Sequence, residues 1–92
     1  MQAKDADKAF MRAWNLLVGH RMRYVASYRE IVRDGKDALV RYRAGEMGRL
    51  LEERGRLREF DYDLSRKVLD HVEVTADGKL AVTFLTGTRV TV

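Results

Sequence analysis

The sequence predicts an α+β fold in which helices come first and a small antiparallel sheet ends the chain. Apolar residues recur at helical spacing in the first half, at positions 11, 18, 25 and 32 and again at 10, 17, 24 and 31. From residue 72 onward, apolar and polar residues alternate with the period of two that is typical of strands. We expect a single domain over residues 1–92, with a helical part over 1–60 and a helix plus β-hairpin over 61–92.

The first helix is expected to be long, starting at Asp5 or Asp7 and ending near Gly35. A carboxylate at a helix start caps free N–H groups and interacts favourably with the helix dipole. The apolar rows form one wide stripe, which indicates burial against more than one partner element. Gly19 interrupts the stripe at a cost of about 1 kcal/mol relative to alanine, so a kink or a close helix contact is expected there.

Two shorter helices are predicted to follow. The second begins after an Asp37 cap, runs to about Arg54 and stops at Gly55. The third is short and begins after Asp61, a residue type that caps helices well. These helices are expected to cover one face of the sheet.

The last part of the chain is predicted to be a three-stranded meander. Asp77 and Gly78 are expected to form a type I′ turn, which requires positive φ at both central residues. Gly87 permits a second turn before the final strand. One face of the resulting sheet is apolar and needs cover from the helices.

Composition excludes several classes of protein. The chain has no Cys and no Pro, so disulfides and thiolate metal sites are excluded. No apolar run approaches the roughly 20 residues that span a bilayer, and the N-terminus lacks the apolar region of a signal peptide. We therefore expect a cytoplasmic protein with no membrane partner.

No catalytic set with useful spacing is present. His20 and His71 are far apart in sequence, and Ser27 and Ser65 have no adjacent base. Trp14 lies within the apolar stripe, where a core role is the simpler interpretation. No glycine-rich phosphate loop occurs. We expect no enzymatic activity, no metal, no cofactor and no small-molecule substrate.

Arginines are concentrated in the second helix and the connector after it. Residues 1–60 hold 14 Lys and Arg against 9 Asp and Glu, within a net charge of +4 for the chain. Two interpretations stay open: a solvated face paired with Glu46, Glu52 and Glu53, or a surface facing phosphates, which arginine contacts well. The candidate phosphate contacts are Arg41, Arg43, Arg49, Arg54, Arg56 and Arg58.

Three stretches resemble a known family: AFMRAWNLLV at 9–18, LREFDYDLSRKVLDHVEV at 57–74 and DGKLAVTFLTGTRVTV at 77–92. In this order they are similar to the C-terminal end of large serine recombinases, the resolvase-related enzymes of phages and mobile elements. The matching positions are Ala9, Phe10, Asn15, Glu59, Phe60, Asp61, Leu64, Val72, Val74, Asp77, Gly78, Leu80, Val82, Phe84, Gly87 and Thr88.

The resemblance implies a site-specific DNA recombinase that cuts and rejoins DNA through a serine linkage during DNA integration. The family's catalytic serine lies in an N-terminal domain that these residues do not include, and the zinc-ribbon cysteines are missing too. We therefore expect a fragment or stand-alone relative of the C-terminal DNA-binding region. The family often carries a long coiled-coil arm here, but residues 33–60 are expected to form a helical link at most.

The expected function is a non-catalytic part of such a recombinase that assists DNA binding or recombinase assembly. The alternative is a protein-interaction or dimerisation module with no direct DNA contact. Without a zinc ribbon, the strand edges near Val74, Val82 and Val90 are apolar and poorly protected. Self-association is therefore expected in either case.

Overall fold

The computed structural model describes residues 3–92 and confirms the predicted α+β class. Four helices precede one antiparallel sheet of three strands in the order β1-β2-β3. The elements are α1 (Ala3–Gly19), α2 (Arg21–Asp34), α3 (Ala38–Glu53), α4 (Tyr62–Val68), β1 (Leu69–Val74), β2 (Leu80–Phe84) and β3 (Arg89–Thr91).

The expected long first helix is present as two consecutive helices, α1 and α2. The chain turns at His20, whose φ of −119° and ψ of 35° lie outside the helical region. The His20 N–H still donates to the carbonyls of Leu16 at 3.2 Å and Leu17 at 3.1 Å, so the break is local. Gly19 ends α1, where the sequence predicts a kink, and α1 begins before the two expected aspartate caps.

We call α1, α4 and the sheet the base of the molecule, because α1 packs against β1 and β2 and α4 leads directly into β1. On the sheet, Val72, Val82 and Val90 are register partners across the three strands. Phe10 of α1 is fully buried, and its ring centroid lies 6.1 Å from that of Phe84. The apolar sheet face is thus covered by the first helix of the chain.

We call α2 and α3 the arm, because they pack against each other as a helical hairpin. Residues 35–37 join them, and Asp37 caps α3 as predicted. Its side chain accepts hydrogen bonds from the N–H groups of Leu39 at 2.8 Å and Val40 at 3.2 Å. Residues 33–60 are expected from the sequence to form a simple helical link, but they contain α3, which is one half of a paired hairpin. The two helices of this hairpin, of 14 and 16 residues, are each roughly 20 Å long.

Both turns of the sheet place a glycine in the left-handed region, Gly78 with φ 82° and Gly87 with φ 87°. In the first turn the Thr75 N–H donates to the Lys79 carbonyl at 2.8 Å, and the equivalent hydrogen bond closes the second turn. No described residue other than glycine has positive φ. The expectation of a type I′ turn is therefore wrong: Asp77 keeps negative φ, because a three-residue loop needs positive φ at one position only.

Candidate functional site

The arm joins the base through hydrogen bonds from α1 to the loop after α3, residues 54–61. Asn15 donates from Nδ2 to the Leu57 carbonyl at 3.0 Å and accepts at Oδ1 from the Leu57 N–H at 2.7 Å. Trp14 Nε1 donates to the Gly55 carbonyl at 3.2 Å. Because one amide side chain satisfies both backbone groups of Leu57, α1 fixes the path of this loop.

A second set of contacts ties α2 to the base. The hydroxyl of Tyr28, a buried residue, lies 2.7 Å from Oγ1 of Thr88, which in turn lies 2.9 Å from Oγ1 of Thr86. Arg21, at the start of α2, donates from Nη2 to the Arg54 carbonyl at 3.3 Å and so ties α2 to the 54–61 loop, which α1 holds. Both helices of the arm are therefore anchored, one to the last turn of the sheet and one to α1. We call these two sets of contacts the joint.

Residues that carry the family resemblance lie in the joint and in the core beneath it. Phe10 packs edge-to-face on Phe60, with ring centroids 6.0 Å apart and planes at 80°, and also contacts Phe84. Asp61 caps α4 as predicted by accepting a hydrogen bond from the Leu64 N–H at 2.9 Å. Each of the three matched stretches contributes to one continuous set of contacts.

The carboxyl group of Asp61 has a lowered pKa and forms an ion pair with Arg54. The hydrogen bond from the Leu64 N–H is the largest cause that lowers the pKa of this carboxyl below its ordinary value of 3.8; partial burial opposes the shift, and the charge of Arg54 adds to it. The ionised carboxylate pairs with the Arg54 guanidinium. Since the folded pKa is lowered, this stabilisation is present above pH 3.8 and is lost as the pH falls through the folded value.

The six candidate phosphate contacts differ in their surroundings. Arg41 donates from Nη1 to the Gly35 carbonyl at 2.7 Å and so closes the end of α2. Arg49 pairs with Glu46 at 2.6 Å and with Glu53 at 2.7 Å. The Arg49 contacts are those of the ion-paired helix face, the first of the two interpretations left open by the sequence. Glu52, also expected in that face, pairs instead with Arg29 of α2.

Of the remaining candidates, one forms an ion pair and three do not. Arg54 pairs with Asp61. Arg56 and Arg58 are exposed in the 54–61 loop, and within residues 3–92 neither has an ion-pair partner. Arg43 likewise has no such partner in the described part of the chain, but it lines an apolar groove between α3 and α4. Of the six candidates, Arg56 and Arg58 are the ones that are both exposed and without an ion-pair partner among the described residues.

A second basic surface lies on α1 and was not among the sequence-based candidates. Lys4, Lys8 and Arg12 are exposed, and their spacing of four residues places them on one face of the helix. None of the three forms an ion pair with another described residue. The four-residue spacing is the sequence signal that identifies this surface. The sequence-based candidates instead come from the denser run of arginines after residue 40.

The histidines do not form a metal centre with the other described residues. Within residues 3–92, no group of three His, Asp or Glu side chains is arranged to hold a metal ion. His71 lies in β1, exposed beside Asp70 and Glu73, with nitrogen–oxygen distances of 3.5 and 3.8 Å. His20 is exposed at the break between α1 and α2.

Comparison with known proteins yields no relative. No family model, curated protein or solved structure matches this chain. Within the described range, no helix has the length and apolar character needed to cross a membrane.

Proposed function

We propose that this chain is a non-catalytic part of a site-specific DNA recombinase that assists DNA binding or recombinase assembly. The observation that carries the proposal is the meeting of the three matched stretches at Phe10, which contacts Phe60 and Phe84, and at Asn15, which holds Leu57. If the three stretches belong to one shared architecture, they are expected to pack together, as they do here. A cytoplasmic location goes with this proposal.

The shape of the chain supports a positioning role. The arm is tied to the base at both helices, through Tyr28 on one side and through the loop held by Asn15 on the other. A short hairpin held in this way keeps a fixed direction relative to the sheet. Such an element presents a surface to DNA or to another subunit and needs no chemistry of its own.

Direct DNA contact is assigned to Arg56 and Arg58 in the 54–61 loop. Both are exposed, and the loop that carries them is anchored at Gly55 and Leu57, so only their own side chains need to become ordered to meet a backbone phosphate. Such contacts contribute affinity and salt dependence but no base sequence preference. Arg41, Arg49 and Arg54 would have to give up contacts within the fold to take the same role.

We expect the double variant Arg56→Gln, Arg58→Gln to bind a generic labelled duplex more weakly than the parent chain. The plot of log affinity against log salt should lose about 0.9 of slope for each phosphate contact removed, or about 1.8 for the pair. Fluorescence anisotropy titrations between about 50 and 200 mM salt measure both quantities, since phosphate contacts are most visible in that range.

The matched control is Lys8→Gln, Arg12→Gln, which removes the same charge from the exposed row on α1. This control should keep most of the affinity and slope. Equal losses in the two double variants would mean that DNA senses only net charge, and the loop assignment would fail. Absence of duplex binding at tens of micromolar protein would turn the proposal toward assembly without DNA contact.

A module that mediates protein interaction or dimerisation without touching DNA is the second candidate. It is favoured by large apolar side chains that stay exposed on the arm, among them Val32, Leu39 and Tyr42. The pairing of Arg49 with Glu46 and Glu53 points the same way, because those charges are satisfied within the fold.

We expect the isolated chain to self-associate through its strands, its long first helix (α1 and α2) or both. Of the three valines expected at poorly protected strand edges, only Val74, at the end of the outer strand β1, is exposed, at 55%. The expectation is wrong for Val82, which is fully buried in the central strand, and for Val90, which is 7% exposed, because α1 covers this face of the sheet. Sedimentation velocity should show an average mass that rises with protein concentration, and Val74→Lys should reduce the rise, because a charge on an edge strand opposes pairing. Tyr62→Lys, at a 63% exposed position on α4 outside the strands and the long first helix, is the control. A monomer mass that does not change with concentration would contradict this expectation.

A further inference from the structure

A groove between the arm and α4 is lined largely by apolar side chains. Leu39 and Tyr42 come from α3, Val68 from α4 and Leu85 from the turn after β2. Met47 and Val68 are buried where they meet the groove. The groove has a volume of about 250 Å³ and joins elements from both parts of the molecule.

Apolar exposure around the groove is concentrated rather than scattered. Tyr42 is 68% exposed and Leu39 is 53% exposed, and their spacing of three residues places both on the face of α3 that lines the groove. Single exposed apolar residues are common on protein surfaces, whereas a contiguous set beside a concave surface is typical of an interaction site. The first turn and a half of α3 therefore presents an apolar surface without a partner in the described chain.

The polar lining of the groove has an excess of positive charge. Arg43 and Lys67 both line it, and within residues 3–92 neither has a carboxylate partner. Glu46 also lines the groove, but Arg49 engages both of its oxygens, Oε1 at 2.6 Å and Oε2 at 3.3 Å. The two free cations are thus left to meet negative charge from outside the chain.

The volume limits what can occupy the groove. Sites for drug-sized ligands usually measure about 300–1,000 Å³, so a groove of about 250 Å³ is better matched to one or two side chains. Protein interfaces commonly place one apolar or aromatic anchor in such a depression, with polar contacts around it. The apolar walls favour an apolar anchor, and the free cations favour acidic residues beside it.

We propose that this groove binds a short acidic segment of another polypeptide. An apolar side chain of that segment packs against Leu39, Tyr42 and Met47, and flanking carboxylates reach Arg43 and Lys67. Complementary charge gives such a contact its specificity and speeds association. The proposal goes beyond a role in recombination and does not depend on DNA binding, since the groove and the 54–61 loop use different residues.

Titration of the isotope-labelled chain with the peptide Glu-Glu-Leu-Phe-Glu-Glu, followed by amide chemical shifts, tests the proposal. We expect saturable shifts at Leu39, Met47 and Lys67. The peptides Lys-Lys-Leu-Phe-Lys-Lys and Glu-Glu-Ser-Gly-Glu-Glu should each bind at least about tenfold more weakly, because each lacks one half of the required chemistry; tenfold corresponds to about 1.4 kcal/mol. Equal binding of all three peptides, or no saturable shift at millimolar peptide, would overturn the proposal.

Two pairs of variants locate the site. Lys67→Glu should weaken binding of the acidic peptide by about tenfold, whereas Lys79→Glu, the same change at the β1–β2 turn, should not. Tyr42→Ser should weaken it similarly, whereas Tyr62→Ser, at a comparably exposed tyrosine, should not. Equal effects within either pair would overturn the site assignment.

Two further outcomes separate this proposal from neighbouring ones. Shifts at the same residues on raising protein concentration without peptide would assign the groove to a second copy of the chain, and shifts there with duplex DNA would assign it to DNA. Either result overturns the acidic-segment proposal. Arg56→Gln, Arg58→Gln should keep peptide binding even if it loses DNA binding, so the two proposals can fail separately.

Discussion

Phe10→Ala is expected to lower the free energy of unfolding by about 3–5 kcal/mol, the usual cost of removing a buried aromatic ring. Phe10 is fully buried and contacts the rings of both Phe60 and Phe84. The cavity would open where α1, the 54–61 loop and β2 meet. Small domains are stable by only about 5–15 kcal/mol, so the loss is a large share of the total.

Urea unfolding followed by fluorescence measures this effect, because Trp14 is the single tryptophan and is fully buried. Phe10→Leu should lose less stability than Phe10→Ala, since it fills part of the space. Met22→Ala, at an 87% exposed position, should stay within about 0.5 kcal/mol of the parent. If Phe10→Ala behaved like Met22→Ala, the three matched stretches would not depend on this contact and the main support for the proposed function would be lost.

Asn15→Ala is expected to destabilise the chain by about 2 kcal/mol, because it leaves both backbone groups of Leu57 without their partner. The two hydrogen bonds, at 2.7 and 3.0 Å, join residues 42 positions apart in sequence. Their loss should release the loop that carries Arg56 and Arg58. The variant should therefore lose DNA affinity as well as stability, although residue 15 itself carries no charge.

Amide hydrogen exchange at Leu57 distinguishes a local release of the loop from a general loss of stability. Asn15→Ala should speed exchange of the Leu57 amide, because the acceptor Oδ1 is gone. Asn15→Asp keeps an acceptor for that amide and loses only the donor to the carbonyl, so exchange there should stay slow while stability falls. An unchanged Leu57 exchange rate in Asn15→Ala would show that the loop is held by other contacts.

Local chemistry explains which elements were predicted correctly. Asp37 and Asp61 cap α3 and α4 as expected, since a side-chain oxygen that accepts from the following N–H groups acts within one turn of helix. The break at Gly19 also lies where the apolar pattern is interrupted. The turn at Asp77 and Gly78 was placed correctly but given the wrong type, because sequence does not tell a two-residue loop from a three-residue loop that shares the same glycine.

The candidate site was predicted less completely. Arginine content indicated a basic segment, but whether a given arginine is free depends on carboxylates and carbonyls brought near it by folding. Arg49 finds Glu46 and Glu53 within its own helix, which i, i+3 and i, i+4 spacing allows one to anticipate. The Arg54–Asp61 pair crosses a loop, and no periodicity predicts it.

The sequence alone determined that helices precede the strands, the caps of α3 and α4, the positions of the two glycine turns and the apolar faces, because each follows from interactions between residues close along the chain. Only the tertiary structure decided that α2 and α3 form an arm and that Asn15 holds Leu57. It also decided that Tyr28 meets Thr88, and that Arg43 and Lys67 border an apolar groove. The Asn15–Leu57 and Tyr28–Thr88 contacts join residues 42 and 60 positions apart, and such pairings depend on how the elements pack rather than on any local pattern.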